Sequence, residues 1–109
     1  MKRLAFLGNA RADLRKFPEL ARRKAGFQLG LIQDGFDPED WKPMSSIGKG
    51  VREIRIKELS GAFRVIYVAS FSDAIIVIHA FQKKTQRTSM LDIELAKTRF
   101  KQLLRETEK

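Results

Sequence analysis

The sequence predicts an α+β fold: a curved antiparallel sheet with two helices before it and one after it. Three observations carry this. From Val51 to Phe81, apolar residues recur with period two in three runs separated by tight turns. Before and after that stretch they recur at helical spacing instead. The 109 residues suffice for one core, so residues 1–109 are expected to form a single domain.

Taken in order, Leu4–Leu7 is a short apolar run ended by Gly8, and reads as an edge strand or an extended start. Asn9 is placed to cap a short helix running to Phe17, with Leu14 and Phe17 one turn apart. Pro18 breaks that helix and opens a second, since a first turn does not need its missing N–H. The second helix runs to about Gln33 and ends at Asp34-Gly35. Two stripes compete for its inner face: Leu20, Lys24, Phe27 and Leu31, or Ala21, Ala25, Gln28 and Ile32. Phe36–Gly50 holds two prolines and two late glycines and reads as a loop. Within it Trp41 and Met44 are expected to pin the loop to the core, although Trp41 has the ring to stack on a base.

Val51–Glu58 then alternates, with Ile54 and Ile56 on one side and Glu53, Arg55 and Lys57 on the other. A turn at Leu59–Ala62 leads to a second strand, Phe63–Phe71. A turn at Ser72-Asp73 leads to a third, Ala74–Phe81, which is apolar on both faces as in a covered central strand. The three form a meander, and Leu4–Leu7 is a candidate additional strand. A polar, basic connection, Gln82–Ser89, follows. Ser89 and Asp92 have the spacing of a capping box, which starts a helix from Met90 to about Glu106. Its apolar face is Ile93, Ala96, Phe100, Leu103 and Leu104. All three helices are expected on one face of the sheet.

Composition narrows the chemistry. The net charge is +9 and the pI about 10.3. Such a surface repels itself and favours polyanions, nucleic acid first, or an acidic protein. The chain has no cysteine and one histidine, so disulfides, thiolate metal sites and histidine-cluster zinc sites are excluded. No apolar run approaches the ~20 residues of a membrane span. Leu4–Leu7 is too short for the apolar region of a signal peptide, so a cytoplasmic protein is expected. The Gly-rich phosphate loop, the dinucleotide fingerprint and the nucleophile elbow are all missing. A nuclease built from these residues would need neither metal nor cofactor. It would use the RNA 2′-OH as nucleophile and cations to stabilise the phosphorane.

The candidate cations lie on the meander. Arg55 and Lys57 oppose the isoleucines of the first strand. Arg64 shares a face with Ile66 and Val68 in an otherwise apolar second strand. A charge there either pairs with an acid such as Glu53 or points into a groove open to a ligand. The third strand runs into Lys83, Lys84, Thr85, Arg87 and Thr88, which are phosphate donors if they converge and a solvated loop if they do not. His79 lies among apolar residues and reads as a hydrogen-bonded core histidine. Tyr67 reads as core.

Three blocks in order, Gly50-Val51-Arg52-Glu53-Ile54-Arg55, Phe63-Arg64-Val65-Ile66-Tyr67 and His79-Ala80-Phe81-Gln82-Lys83-Lys84-Thr85, resemble the RelE/HigB toxins, most closely their phage-associated branch. The resemblance covers nearly the whole chain and includes the last helix. It implies a microbial-ribonuclease-like toxin fold. It also implies cleavage of messenger RNA in the ribosomal A site, leaving a cyclic or 3′-phosphate, and silencing by an antitoxin, often a helix-turn-helix DNA-binding protein. By position, Arg55 and Lys57 match the family's first-strand basic pair, Arg64 its second-strand arginine, and Lys83 or Lys84 its later basic group. On this reading Arg64 and Lys84 clamp the scissile phosphate. Lys83, Arg55 and Lys57 complete the catalytic set, the last two orienting the backbone; Arg52, Arg87, Thr85 and Thr88 bind RNA, and Glu53 is a candidate general base. Two departures stand out: the chain has no tyrosine after Tyr67, and Glu53 occupies the position of a family lysine. The rival classes are a ParE-like toxin acting on gyrase and a non-catalytic nucleic-acid-binding phage accessory protein.

Overall fold

The alternating segments form strands and the helical segments form helices. The computed structural model describes residues 1–71, 73–84 and 87–107; Ser72 of the expected turn, and Thr85 and Gln86 of the basic connection, lie outside the described residues. In chain order the elements are β1 (Arg3–Phe6), α1 (Ala10–Arg15), α2 (Glu19–Gln33), β2 (Trp41–Pro43), β3 (Val51–Glu58), β4 (Gly61–Phe71), β5 (Ala74–Lys83) and α3 (Met90–Thr107).

The sheet has five strands in the order β1-β5-β4-β3-β2. β2, β3, β4 and β5 pair antiparallel, and β1 lies parallel to β5 at one edge. The strand β2 corrects the sequence reading of Phe36–Gly50 as loop. Its Pro43 is tolerated because β2 is an edge strand. The β3–β4 hairpin turns on Leu59-Ser60, with Gly61 at φ +138°. Both the hydroxyl and the N–H of Ser60 donate to Glu58.

Helices cover both faces, not one. On the first face α1 and α2 place Phe17, Ala21, Ala25, Leu29 and Ile32 over Ile54, Ile56, Phe63, Val65, Tyr67, Ile75 and Val77. On the second, α3 places Ala96 and Phe100, joined by Met44 and Ile47, over Val51, Ile66, Val68, Ile76 and Ile78. The reason is β5: its side chains are apolar on both sides, and each fully buried Ile or Val is worth about 1.5–3 kcal/mol. Gly48 makes the second packing possible, since a Cβ there would lie 2.1 Å from the Phe100 ring.

Of the two stripes on α2, the alanine stripe faces inward, while Leu20 and Phe27 stay more than half exposed. Alanine lets the helix lie close to the sheet. Gln28 is tolerated on that stripe because its amide exchanges two hydrogen bonds with Glu39, at 2.7 and 2.8 Å. Asn9 sits at the start of α1 but makes no side-chain cap; its position is held by backbone bonds. Ser89 caps α3 as expected, its Oγ accepting from the Asp92 N–H at 3.1 Å, while the Asp92 carboxylate accepts from the Ser89 hydroxyl rather than from its backbone N–H.

One register slip matters for the site. His79 pairs with Ile66, but Val77 pairs with Tyr67, so Ile78 is an extra residue in β5. The slip moves His79 and Phe81 to the α3 face, away from Val77, where strict alternation had grouped all three. No described helix is long and apolar enough to cross a membrane.

Candidate active site

Strand register sorts the α3 face of the sheet into rows. Val51, Val68 and Ile76 form an apolar row beneath α3. The next row runs Lys42, Glu53, Ile66, His79; then come Arg55, Arg64, Phe81; then Lys57, Ala62, Lys83. The face therefore changes from apolar to cationic along the strands, and the cationic end is the candidate site.

Glu53 is the hub. It is fully buried, and its Oε2 accepts a 2.7 Å hydrogen bond from Thr88 Oγ1, just before α3. Its Oε1 lies 3.5 Å from Arg64 Nε and 3.9 Å from Lys42 Nζ. Arg64 is 5% exposed; its Nη1 donates to the Phe63 carbonyl at 3.0 Å, while its Nε, like Glu53 Oε1, has no hydrogen-bond partner among the described residues, so the contact between them is an ion pair. Burial pushes the Arg64 guanidinium below its ordinary pKa and the neighbouring Arg55 adds to this, while Glu53 and Asp40 pull it back. Arginine keeps its charge through such shifts, so Glu53 and Arg64 form a buried ion pair.

This corrects several sequence assignments. Arg64 takes the first of its two alternatives: it is spent on Glu53 and sealed from solvent, so it does not clamp a phosphate directly. Glu53, the candidate general base, is enclosed by cations and a hydroxyl and is 0% exposed in this structure. Thr88 is 9% exposed and holds Glu53 rather than RNA. Arg52 stands on the opposite face, paired with Asp37 at 2.9 Å and lying 3.9 Å over the Trp41 ring. That contact gives Trp41 its partner and removes Arg52 from the site. Thr85 lies outside the described residues.

The remaining cations border the hub. Arg55 faces Arg64 across the β3–β4 ladder, a like-charged pair that is unfavourable without an anion nearby. Its Nε is buried with no hydrogen-bond partner among the described residues. Arg55 and Lys57 line a cleft of about 470 Å³ against Lys24 and Phe27 of α2. Lys83, Lys84 and Arg87 line a recess of about 80 Å³ beside Phe81 and Asp92. Lys84 Nζ donates to Gln82 Oε1 at 3.3 Å. The Lys83 ammonium is pushed below the ordinary lysine value, first by desolvation, then by Arg64, and further by Lys42 and Arg55, against the pull of Glu53.

His79 behaves as a core histidine: 4% exposed, with Nε2 2.6 Å from Asp92 Oδ1, it ties β5 to the start of α3. Among the described residues no three His, Cys, Asp or Glu side chains cluster to hold a metal. Sequence reasoning missed Lys42, because its strand reads as loop. The signal available was the W-K-P triplet ending at Pro43, whose Lys pairs in register with Glu53.

Residues 12–101 match the family described as phage derived protein Gp49-like (DUF891). No curated protein sequence matches the chain. Among solved structures, a double mutant of Escherichia coli toxin RelE in the free state superposes with a TM-score of 0.60 at 15% identity, covering 94% of this chain and 97% of that one. The match to RelE spans the sheet and the helices on both of its faces, so the architecture described above is a RelE-like one. The chain belongs to the phage-derived Gp49-like family and has a RelE-like fold.

Proposed function

We propose that this chain is the toxin of a toxin–antitoxin pair and a metal-independent endoribonuclease that cuts messenger RNA in the A site of translating ribosomes. Its place of action is then the cytoplasm. Its antitoxin is a separate protein, of the helix-turn-helix class found with such toxins. The observation that supports this best is the gathering of cations at one end of this face: Arg55 faces Arg64 across β3–β4, with Lys57 and Lys83 in the next row and one buried carboxylate, paired with Arg64, beneath them. Asp40 and Asp92 border these cations and Glu53 is already paired with Arg64, so the exposed ammonium groups are open to a further anion, which the RNA phosphate supplies.

In this reading Arg55 and Lys83 contact the scissile phosphate, while Lys57, Lys84 and Arg87 guide the flanking backbone. Arg64 and Glu53 form the rigid base that holds Arg55 in place. The neutral amine of Lys83 takes the 2′-OH proton. The 2′-oxygen bonds to phosphorus, the bond to the 5′-oxygen breaks, and that oxygen takes a proton from water as it leaves, while protonated Lys83 returns its proton to the resulting hydroxide. The products are a 2′,3′-cyclic phosphate and a 5′-hydroxyl, with no change of oxidation state. Positioned donors on the developing charge are each worth about 10²–10³ in rate.

The test is primer extension on messenger RNA after the chain is expressed without its antitoxin. Discrete cuts inside translated codons are expected, and Arg55→Ala should reduce them by about 10²–10³. DNA damage without cuts, or growth arrest unchanged in Arg55→Ala, overturns the proposal.

A further inference from the structure

Lys42 stands in the Glu53 row, yet it is not needed to neutralise Glu53. The carboxylate already has the Arg64 guanidinium as an ion-pair partner, 3.5 Å from an Oε1 that accepts no hydrogen bond among the described residues, and the Thr88 hydroxyl at 2.7 Å on Oε2. The Lys42 ammonium lies 3.9 Å from Glu53 Oε1, too far for a hydrogen bond, and its side chain is 41% exposed. It donates no hydrogen bond to any described residue. By contrast its backbone is fixed on both sides. The Arg55 N–H donates to the Asp40 carbonyl at 2.8 Å, and the Met44 N–H to the Val51 carbonyl at 2.8 Å. The lysine therefore rises from an anchored edge strand, is drawn toward a buried anion, and keeps three donors unused.

Burial also separates the cations by role. Arg64 has both a partner and a cover: it is 5% exposed and lies closer to Glu53 than Lys42 does. Lys42 can move to a new anion at little cost, because Glu53 remains paired when it does. An ammonium with unused donors, next to a row rich in cations, suits a non-bridging phosphate oxygen.

We infer that Lys42 is a substrate-contacting residue, its ammonium delivered from β2 to the same RNA phosphate that Arg55 and Lys83 address, with Glu53 as the anion that aims it. This rests on the RNA-cleavage reading above.

The experiment compares the wild-type chain with Lys42→Met, which keeps the stem and removes the charge, with Lys42→Arg, and with Lys101→Ala on the exposed side of α3. Two readouts are taken. One is single-turnover cleavage on programmed ribosomes. The other is binding of a short single-stranded RNA, blocked by 2′-O-methylation, across a salt series. Lys42→Met should lower cleavage by about 10²-fold and reduce the slope of log affinity against log salt by about 1. Lys42→Arg should restore the slope, and Lys101→Ala should match wild type in both. A purely structural counter-ion to Glu53 would lower the melting temperature and leave the salt slope unchanged. A wild-type slope in Lys42→Met overturns the inference, as does wild-type cleavage in that variant. Should the wild-type chain bind RNA but cut nothing, the cleavage reading fails, and the salt slope of Lys42→Met still decides whether Lys42 touches the phosphate.

Discussion

Replacing Glu53 with glutamine removes the hub's charge and keeps its shape. At 3.5 Å and an effective dielectric of about 20, the Glu53–Arg64 attraction is about 5 kcal/mol. Part of this offsets the desolvation of both groups, and breaking such a buried pair from one side typically costs about 3–5 kcal/mol. Without Glu53, Arg64 keeps one hydrogen bond, to the Phe63 carbonyl, and still faces Arg55. Without Arg64, by contrast, Glu53 keeps the Thr88 hydroxyl and Lys42. Glu53→Gln should therefore cost about 3 kcal/mol, and Arg64→Met clearly less. The double variant Glu53→Leu/Arg64→Met should recover most of the loss, because an apolar pair replaces an ionic one. Urea unfolding followed by the fluorescence of Trp41, the single tryptophan, reads all three. At about 4–8 °C per kcal/mol for a domain of roughly this size, the first change lowers Tm by more than about 10 °C. Because the pair is buried, salt should alter these differences little. A loss under about 0.5 kcal/mol for Glu53→Gln, or simple additivity in the double variant, refutes the buried-pair argument.

Two further predictions concern titration. Tyr67 is the single tyrosine and is 1% exposed, so its absorbance near 295 nm reports one group. Burial pushes its phenol above the ordinary value of 10.0, against the pull of Arg52. Below that value the folded and unfolded chains both hold the proton. Above it the unfolded chain ionises first, so stability falls as pH rises and the phenolate signal appears late or together with unfolding. A normal titration in the intact fold contradicts the assignment. For Lys83, whose ammonium is held below 10.5, the neutral amine grows as pH rises. Cleavage should rise with pH to a plateau below the ordinary lysine range, and Lys83→Arg should abolish that rise. A pH profile that Lys83→Arg leaves unaltered removes Lys83 as the base.

Much of this protein is legible in local pattern. The meander, the three helices, the Ser89 cap and the core roles of His79 and Tyr67 follow from period and residue type alone, because these report which side of an element is apolar. The surplus of cations and the family blocks follow equally directly. What pattern does not carry is the relation between distant segments. Alternation places Arg64 on one side of β4, but its pairing with Glu53 depends on the β3–β4 register and on what closes over it. The extra residue at Ile78 moves His79 to the other face, and no alternating pattern records such a slip. The short β2 hides between prolines, and with it Lys42, which reaches the site only by pairing across from Glu53. Likewise α3 chooses its face because β5 needs cover on both. Local chemistry is written along the chain; partnership, burial and sidedness arise when strands far apart in sequence come into register.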